Sequence, residues 1–244
     1  RNRTIKNASA DATIALAVDF DSAGEKLTKS SVLSQGKKYI ARNLDEMFTV
    51  IDPFNPSKGY QLNDTAIFNI AENIVSELNS VKAKTLNIAG NGIYTMRGKY
   101  SQKLLDEAVE RLLEYVVYSD NLKTQIESIR TGGQTGIDEA GAKAGINLSL
   151  PTTILAPKGW TFRDISGQDI SNEQQFKARF VKKTGTNNTI EVDEDPRVVE
   201  LDRKIAEATE LISAGKATSE TFAEIRKYHQ ERGKLVKELK YNNC

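Results

Sequence analysis

The residues best suited to chemistry in this 244-residue chain form one segment, Arg130-Thr131-Gly132-Gly133-Gln134-Thr135-Gly136-Ile137-Asp138-Glu139. Adjacent glycines admit positive φ and leave no Cβ between the backbone and a ligand. Thr135 and, three residues on, Asp138 have capping-box spacing, which predicts that the turn opens directly onto a helix. Bare amides and the positive end of a helix dipole at such a turn attract an anion, phosphate above all. The alternative is a tight strand-to-helix turn whose glycines serve packing alone. Two further segments favour a ligand: Gly90-Asn91-Gly92, and Pro157-Lys158-Gly159 followed by Arg163. Lys158 and Arg163 would meet phosphate oxygens, Arg163 with the better fork geometry. Trp160 and Phe162 beside them would either stack on a base or pack as core or lid.

The elements that must position these residues are read from apolar periodicity. Thr13 to Val18 is an almost continuous apolar run and predicts a buried strand; Asp19 and Asp21 at its end read as turn and cap formers rather than metal ligands. Between Gly24 and Gly59 the pattern is weak, with Tyr39-Ile40-Ala41 and Met47 to Ile51 as short strand candidates and a turn-rich break from Asp52 to Gly59. Gly24-Glu25-Lys26-Leu27-Thr28 lacks the GxxxxGK[ST] spacing of a phosphate loop. Asn63 or Asp64 caps a helix with Ile67, Ile70, Ile74 and Leu78 on one face, and Thr85 to Ala89 is a strand running into Gly90. Ser101 begins an amphipathic helix that extends past Leu113, and Gln125 to Thr131 is the strand leading into the glycine turn. The helix after the turn carries Ile137, Ala140, Gly141 and Ala144 inward, and Thr152 to Ala156 is the next strand. Strand, helix, strand, helix, strand with short links predicts an α/β fold: a Rossmann-like parallel sheet flanked by helices, with all three ligand loops at its carboxyl edge. Residues 1–80 read as a strand and helical extension packed on a nucleotide-binding core at 81–183. The stretch at 184–188 reads as a loop or hairpin tip. Residues 196–244 read as a C-terminal helical hairpin, with Val198, Leu201, Ile205, Ala208 and Ile212 along one stripe, Gly215 as the stop and Ser219 as the next cap.

Gly132-Gly133-Gln134-Thr135-Gly136-Ile137-Asp138-Glu139-Ala140, with Ala156-Pro157-Lys158-Gly159-Trp160, resembles the molybdenum-carrier-like and YpsA-like proteins of the SLOG superfamily. That superfamily also holds the LOG phosphoribohydrolases and the DprA-type DNA-processing proteins, and the resemblance spans about Lys84 to Phe180. It implies a Rossmann-like domain and a nucleotide-derived ligand, with a phage or mobile-element source, and leaves the reaction open. LOG enzymes carry PGGxGTxxE, whose glutamate acts in cleaving an N-glycosidic bond. Aligned on the glycines, Glu139 takes the place of that glutamate, although Thr131 stands where the proline would be and Thr135-Gly136 inverts the Gly-Thr pair. Arg111 is then the candidate catalytic arginine from an upstream helix. The plain reading of Glu139 is a carboxylate favoured by the dipole in a first helical turn.

Composition narrows the classes. Lys and Arg number 34 against 33 Asp and Glu, so the chain has no bulk attraction to nucleic acid or an anionic membrane. The only cysteine is Cys244 and the only histidine His229, which excludes an internal disulfide, a cysteine metal cluster and any site needing two histidines. No tightly held metal is expected, and the cofactor is left unknown. No apolar stretch approaches the roughly 20 residues of a membrane helix. The chain begins at Arg1 rather than Met, as a processed product or a part excised from a longer protein would. The expectations are therefore a cytoplasmic protein, a homo-oligomer, that binds or sequesters a phosphorylated nucleotide-type small molecule. The alternatives are a nucleotide N-glycosidase using Glu139, and a phage structural or interaction protein with a vestigial pocket.

Overall fold

The structure, a computed structural model, describes residues 2–96, 98–181, 188–192 and 196–241. It divides into two compact units, Arg1–Asp193 and Glu194–Cys244. The first contains α1 (Asn2–Asn7), β1 (Ala12–Ala17), α2 (Ala23–Ser34), β2 (Lys38–Asn43), β3 (Phe48–Val50), β4 (Tyr60–Leu62), α3 (Asp64–Val81) and β5 (Thr85–Gly90). It continues through α4 (Gln102–Val117), β6 (Ser128–Thr131), α5 (Ile137–Asn147), β7 (Thr152–Ala156), β8 (Thr161–Arg163), β9 (Asp169–Ser171), α6 (Glu173–Ala178) and β10 (Asn188–Val192).

Six of these strands form one parallel sheet in the order β10-β7-β6-β5-β1-β2. The chain steps from β1 to β2 on one side, then crosses to β5 on the other and proceeds outward. The order therefore reverses between β1 and β5, where the connections leave in opposite directions and open a crevice at the strand carboxyl ends. β1 is consequently an inner strand, so residues before 80 share one sheet and one compact unit with those after it. β3–β4 and β8–β9 are separate antiparallel pairs.

One face of the sheet is apolar. Ile14, Leu16, Ile40, Leu86, Ile88 and Ile129 are buried in a core with the inner stripes of α3 and α4, Ile67, Ile74 and Leu78 from the first and Leu105, Leu112 and Leu113 from the second. Both helices start at caps that the sequence marks: the Asn63 side chain accepts from the Ala66 amide, and the Ser101 hydroxyl accepts from the Leu104 amide. A smaller core of Ile146, Ile154, Phe162, Phe176 and Phe180 lies under α6. The other face carries a polar row set by register, with Tyr39 opposite Thr13, Thr13 opposite Asn87, and Asn87 opposite Arg130.

Helix α2 was not visible in the periodicity, and its composition says why: its buried residues are Glu25, Thr28, Ser31 and Val32, so its inner stripe is mostly polar. The expected strand from Gln125 begins only at Ser128. Of the expected loop at 184–188, only Asn188 lies within the described residues, and it opens β10.

The second unit is the expected helical pair, α7 (Pro196–Ser213) and α8 (Ser219–Tyr241), joined by an ion pair between Asp202 and Arg232. Gly215, at φ 66°, ends α7 as anticipated. The cap of α8 falls on Thr218, whose hydroxyl accepts from the Thr221 amide at 3.2 Å, not on Ser219. His229 is exposed.

α5 lies close enough to the sheet to require glycine. A Cβ at Gly141 would stand 2.6 Å from Cβ of Ile88. Alanine normally outranks glycine in a helix interior by ~1 kcal/mol, but overpacking costs ~1–3 kcal/mol. Gly141→Ala is therefore expected to lower the urea unfolding free energy by about 1–2 kcal/mol, whereas alanine at exposed Gly233, with nothing within 4 Å, brings no such clash.

Candidate functional site

The crevice at the β1/β5 reversal has a volume of about 480 Å³. Four segments meet there: the start of α2 with Gly24, Glu25 and Thr28; the end of β5 with Gly90, Gly92 and Tyr94; the glycine turn and first turn of α5 with Gln134, Thr135 and Asp138; and the segment after β7 with Pro157, Thr161 and Arg163. Arg3 and Thr4 of α1 complete the wall. A recess of about 60 Å³ shares Arg3, Thr28 and Asp138 with it and adds Asn7, Asn87 and Gly132.

The glycines of the turn are needed for geometry. Gly133 and Gly136 have φ of 71° and 94°. A Cβ at Gly136 would lie 2.5 Å from the Asn91 carbonyl oxygen, and one at Gly132 would strike the Asp138 carboxylate. Several of the amides, however, are taken up inside the protein instead of standing open to an anion as expected. Gly136 N–H donates to the Gln102 side-chain oxygen at 2.7 Å, Ile137 N–H to the Asn91 carbonyl at 3.2 Å, and Glu139 N–H to the Gln134 carbonyl at 2.8 Å. The Asp138 carboxylate lies over Gly132 at this helix start. The anion at this helix start is the protein's own Asp138. The capping box is corrected too: the N-cap is Gly136 with no side-chain bond, while the Thr135 hydroxyl donates to the Arg163 carbonyl at 2.5 Å.

The other expected site residues divide into three groups. Gly90, Gly92, Gln134, Thr135, Asp138 and Arg163 line the crevice together. Arg163 is held by Asp169 at 2.7 Å and lies 5.9 Å from the Tyr94 ring centre. Asn91 and the turn glycines build the walls from behind: the Asn91 side-chain oxygen accepts from Val18 and Asp19 amides at 2.9 and 3.0 Å, tying β1 to β5. Lys158 and Gly159 are exposed and stand outside the crevice lining. Trp160 and Phe162 pack around Phe176, at 5.6 and 6.2 Å between ring centres, so the packing reading of these aromatics holds.

Glu139 and Arg111 are not brought together, which corrects the expectation of a catalytic pair. Glu139, buried, is clamped by Lys143 at 2.6 Å and Arg179 at 2.5 Å. Arg179 also donates to the Gly133 carbonyl at 2.9 Å and sits over the rings of Phe162, Phe176 and Phe180. Arg111 pairs with Asp64 at 2.9 Å and lines a different cavity beside Phe68 and Tyr115. Asp19, the strand-end carboxylate, accepts the Asp21 amide at 2.8 Å, as a turn former does. Among the described residues no group of three His, Cys, Asp or Glu could hold a metal ion, and no helix is long and apolar enough to cross a membrane.

Glu25 is the residue that sequence reasoning missed. It is 4% exposed, and burial, then the Asp138 and Asp19 charges, push its carboxyl up to about 7. Burial also lifts Asp138 to about 6, against the pull of Arg3 and the Gln134 amide. The Tyr39 hydroxyl is driven to about 12 by burial and by Glu25. The available signal was Ser22 with Glu25 three residues on, and Ser22 does cap α2, accepting from the Glu25 amide at 3.4 Å.

No protein-family model matches the chain, and no curated protein matches it.

The Glu25 carboxyl sits above its ordinary 4.5 in the folded state, so the folded protein holds that proton more tightly. Its contribution to stability is complete below pH 4.5 and is lost as pH rises through about 7. Glu25→Gln is expected to shrink the fall in unfolding free energy between pH 5 and 8 by up to about 3 kcal/mol, read by urea denaturation at both pH values. An unchanged pH dependence would show that Glu25 is not buried as described.

Proposed function

We propose that this protein binds a phosphorylated, nucleotide-derived small molecule in the crevice between β1 and β5. The observation that carries the reading is the crevice itself, about 480 Å³ at the point where the sheet order reverses, with glycines from two loops thinning its walls. That position and size suit a nucleotide-sized ligand. With the Gly136, Ile137 and Glu139 amides engaged internally, the phosphate belongs beside Arg3 and Arg163, the latter held in place by Asp169, rather than on the helix start. The sugar and base then extend inward. The likeness to the SLOG superfamily in the glycine segment supports the same ligand class. Glu139, clamped by Lys143 and Arg179 outside the crevice lining, favours binding over cleavage of an N-glycosidic bond.

The test is calorimetric titration with nucleoside 5′-monophosphates and their unphosphorylated nucleosides, alongside native mass spectrometry of freshly purified protein for retained ligand. The phosphorylated forms are expected to bind at least tenfold more tightly. Arg163→Ala should weaken them by about tenfold, equivalent to ~1.4 kcal/mol, and leave the nucleosides nearly unchanged. Equal binding of both forms, or none of either, refutes the proposal.

A further inference from the structure

The crevice wall formed by α2 carries a carboxylate. Glu25 is 96% buried by exposure of 4%, and its Oε2 has no hydrogen-bond partner among the described residues. Asn87, 2% exposed, lies outside this wall in the separate small recess, where its amide donates to the Thr13 hydroxyl at 3.2 Å and its Oδ1 has no partner. The Asp138 carboxylate adds a further acceptor beside the recess that Asn87 lines. Acceptors buried without a donor cost about 1–3 kcal/mol each, so this wall asks for a group rich in N–H or O–H donors. Phosphate cannot be that group, since it brings only acceptors and like charge. A metal ion does not match either, because no group of three suitable ligands exists among the described residues.

We infer that Glu25, buried and unpartnered in the crevice wall, forms a base subsite that selects an amino-bearing nucleobase edge of the guanine type. This rests on the nucleotide reading above and adds the identity of the base. A guanine ring N–H and its exocyclic amine are adjacent parallel donors, which one carboxylate accepts bidentately, a strong and geometrically specific pairing. Hypoxanthine lacks the amine, and adenine places an acceptor where the ring donor should be.

The test is titration of GMP, IMP and AMP at pH 8 into the whole chain and into its Glu25→Gln and Glu25→Ala variants. GMP is expected to bind at least tenfold more tightly than IMP or AMP, with that preference lost in both variants. Equal affinities for the three nucleotides in the unaltered protein overturn the base subsite and leave nucleotide binding standing. A guanine preference that survives in either variant also overturns it, because Glu25 would not be reading the base. Failure of all three to bind overturns the subsite and the nucleotide reading together.

Discussion

The rest of the structure depends on the closeness of α5 to the sheet. A Cβ at Gly136 would strike the backbone of the loop after β5, one at Gly141 the Ile88 side chain, and one at Gly145 the Thr152 hydroxyl. Closeness of this order locks the loops after β5 and β6 to each other, with Ile93 N–H on the Thr135 carbonyl and Ile137 N–H on the Asn91 carbonyl. Gln102 of α4 closes the turn from outside, bonding both the amide and the carbonyl of Gly136. The glycine segment is thus a seam held by the Gly136 and Ile137 amides.

A second layer of charge sits under the seam. Arg179 donates to Glu139 and to the Gly133 carbonyl while three phenylalanine rings enclose its guanidinium. Lys143 bridges Glu139 to Asp106, which accepts in turn from Gln102. An ion pair of this kind contributes little over an apolar replacement, but removal of one partner leaves a buried charge uncompensated. Its role here is positional: it holds the turn that forms one wall of the crevice.

The crevice inherits its two-sided character from this arrangement. Among the described residues its lining cations are Arg3 of α1 and Arg163 after β7, the latter paired with Asp169, whereas α2 and α5 supply Glu25 and Asp138. Glu25 sits in this wall at a cost in folding free energy near neutral pH, since burial raises its pKa. A carboxylate kept at that cost is a local conflict with the requirements of the fold.

Much of the architecture was readable from residues alone. Asn63 and Ser101 cap the helices they were expected to cap, the apolar runs at Thr85 to Ala89 and Thr152 to Ala156 become inner strands, and the strand–glycine–helix segment places a crevice at the carboxyl edge. These are local signals, because periodicity and caps act within a few residues. What tertiary structure decided is which partner each polar group takes. Glu139 and Asp138 are neighbours in sequence, yet one is enclosed by Arg179 and Lys143 and the other faces the crevice, because successive helical residues point about 100° apart. Glu25 lies more than a hundred residues from the glycine turn and joins it only because the strand order reverses between β1 and β5.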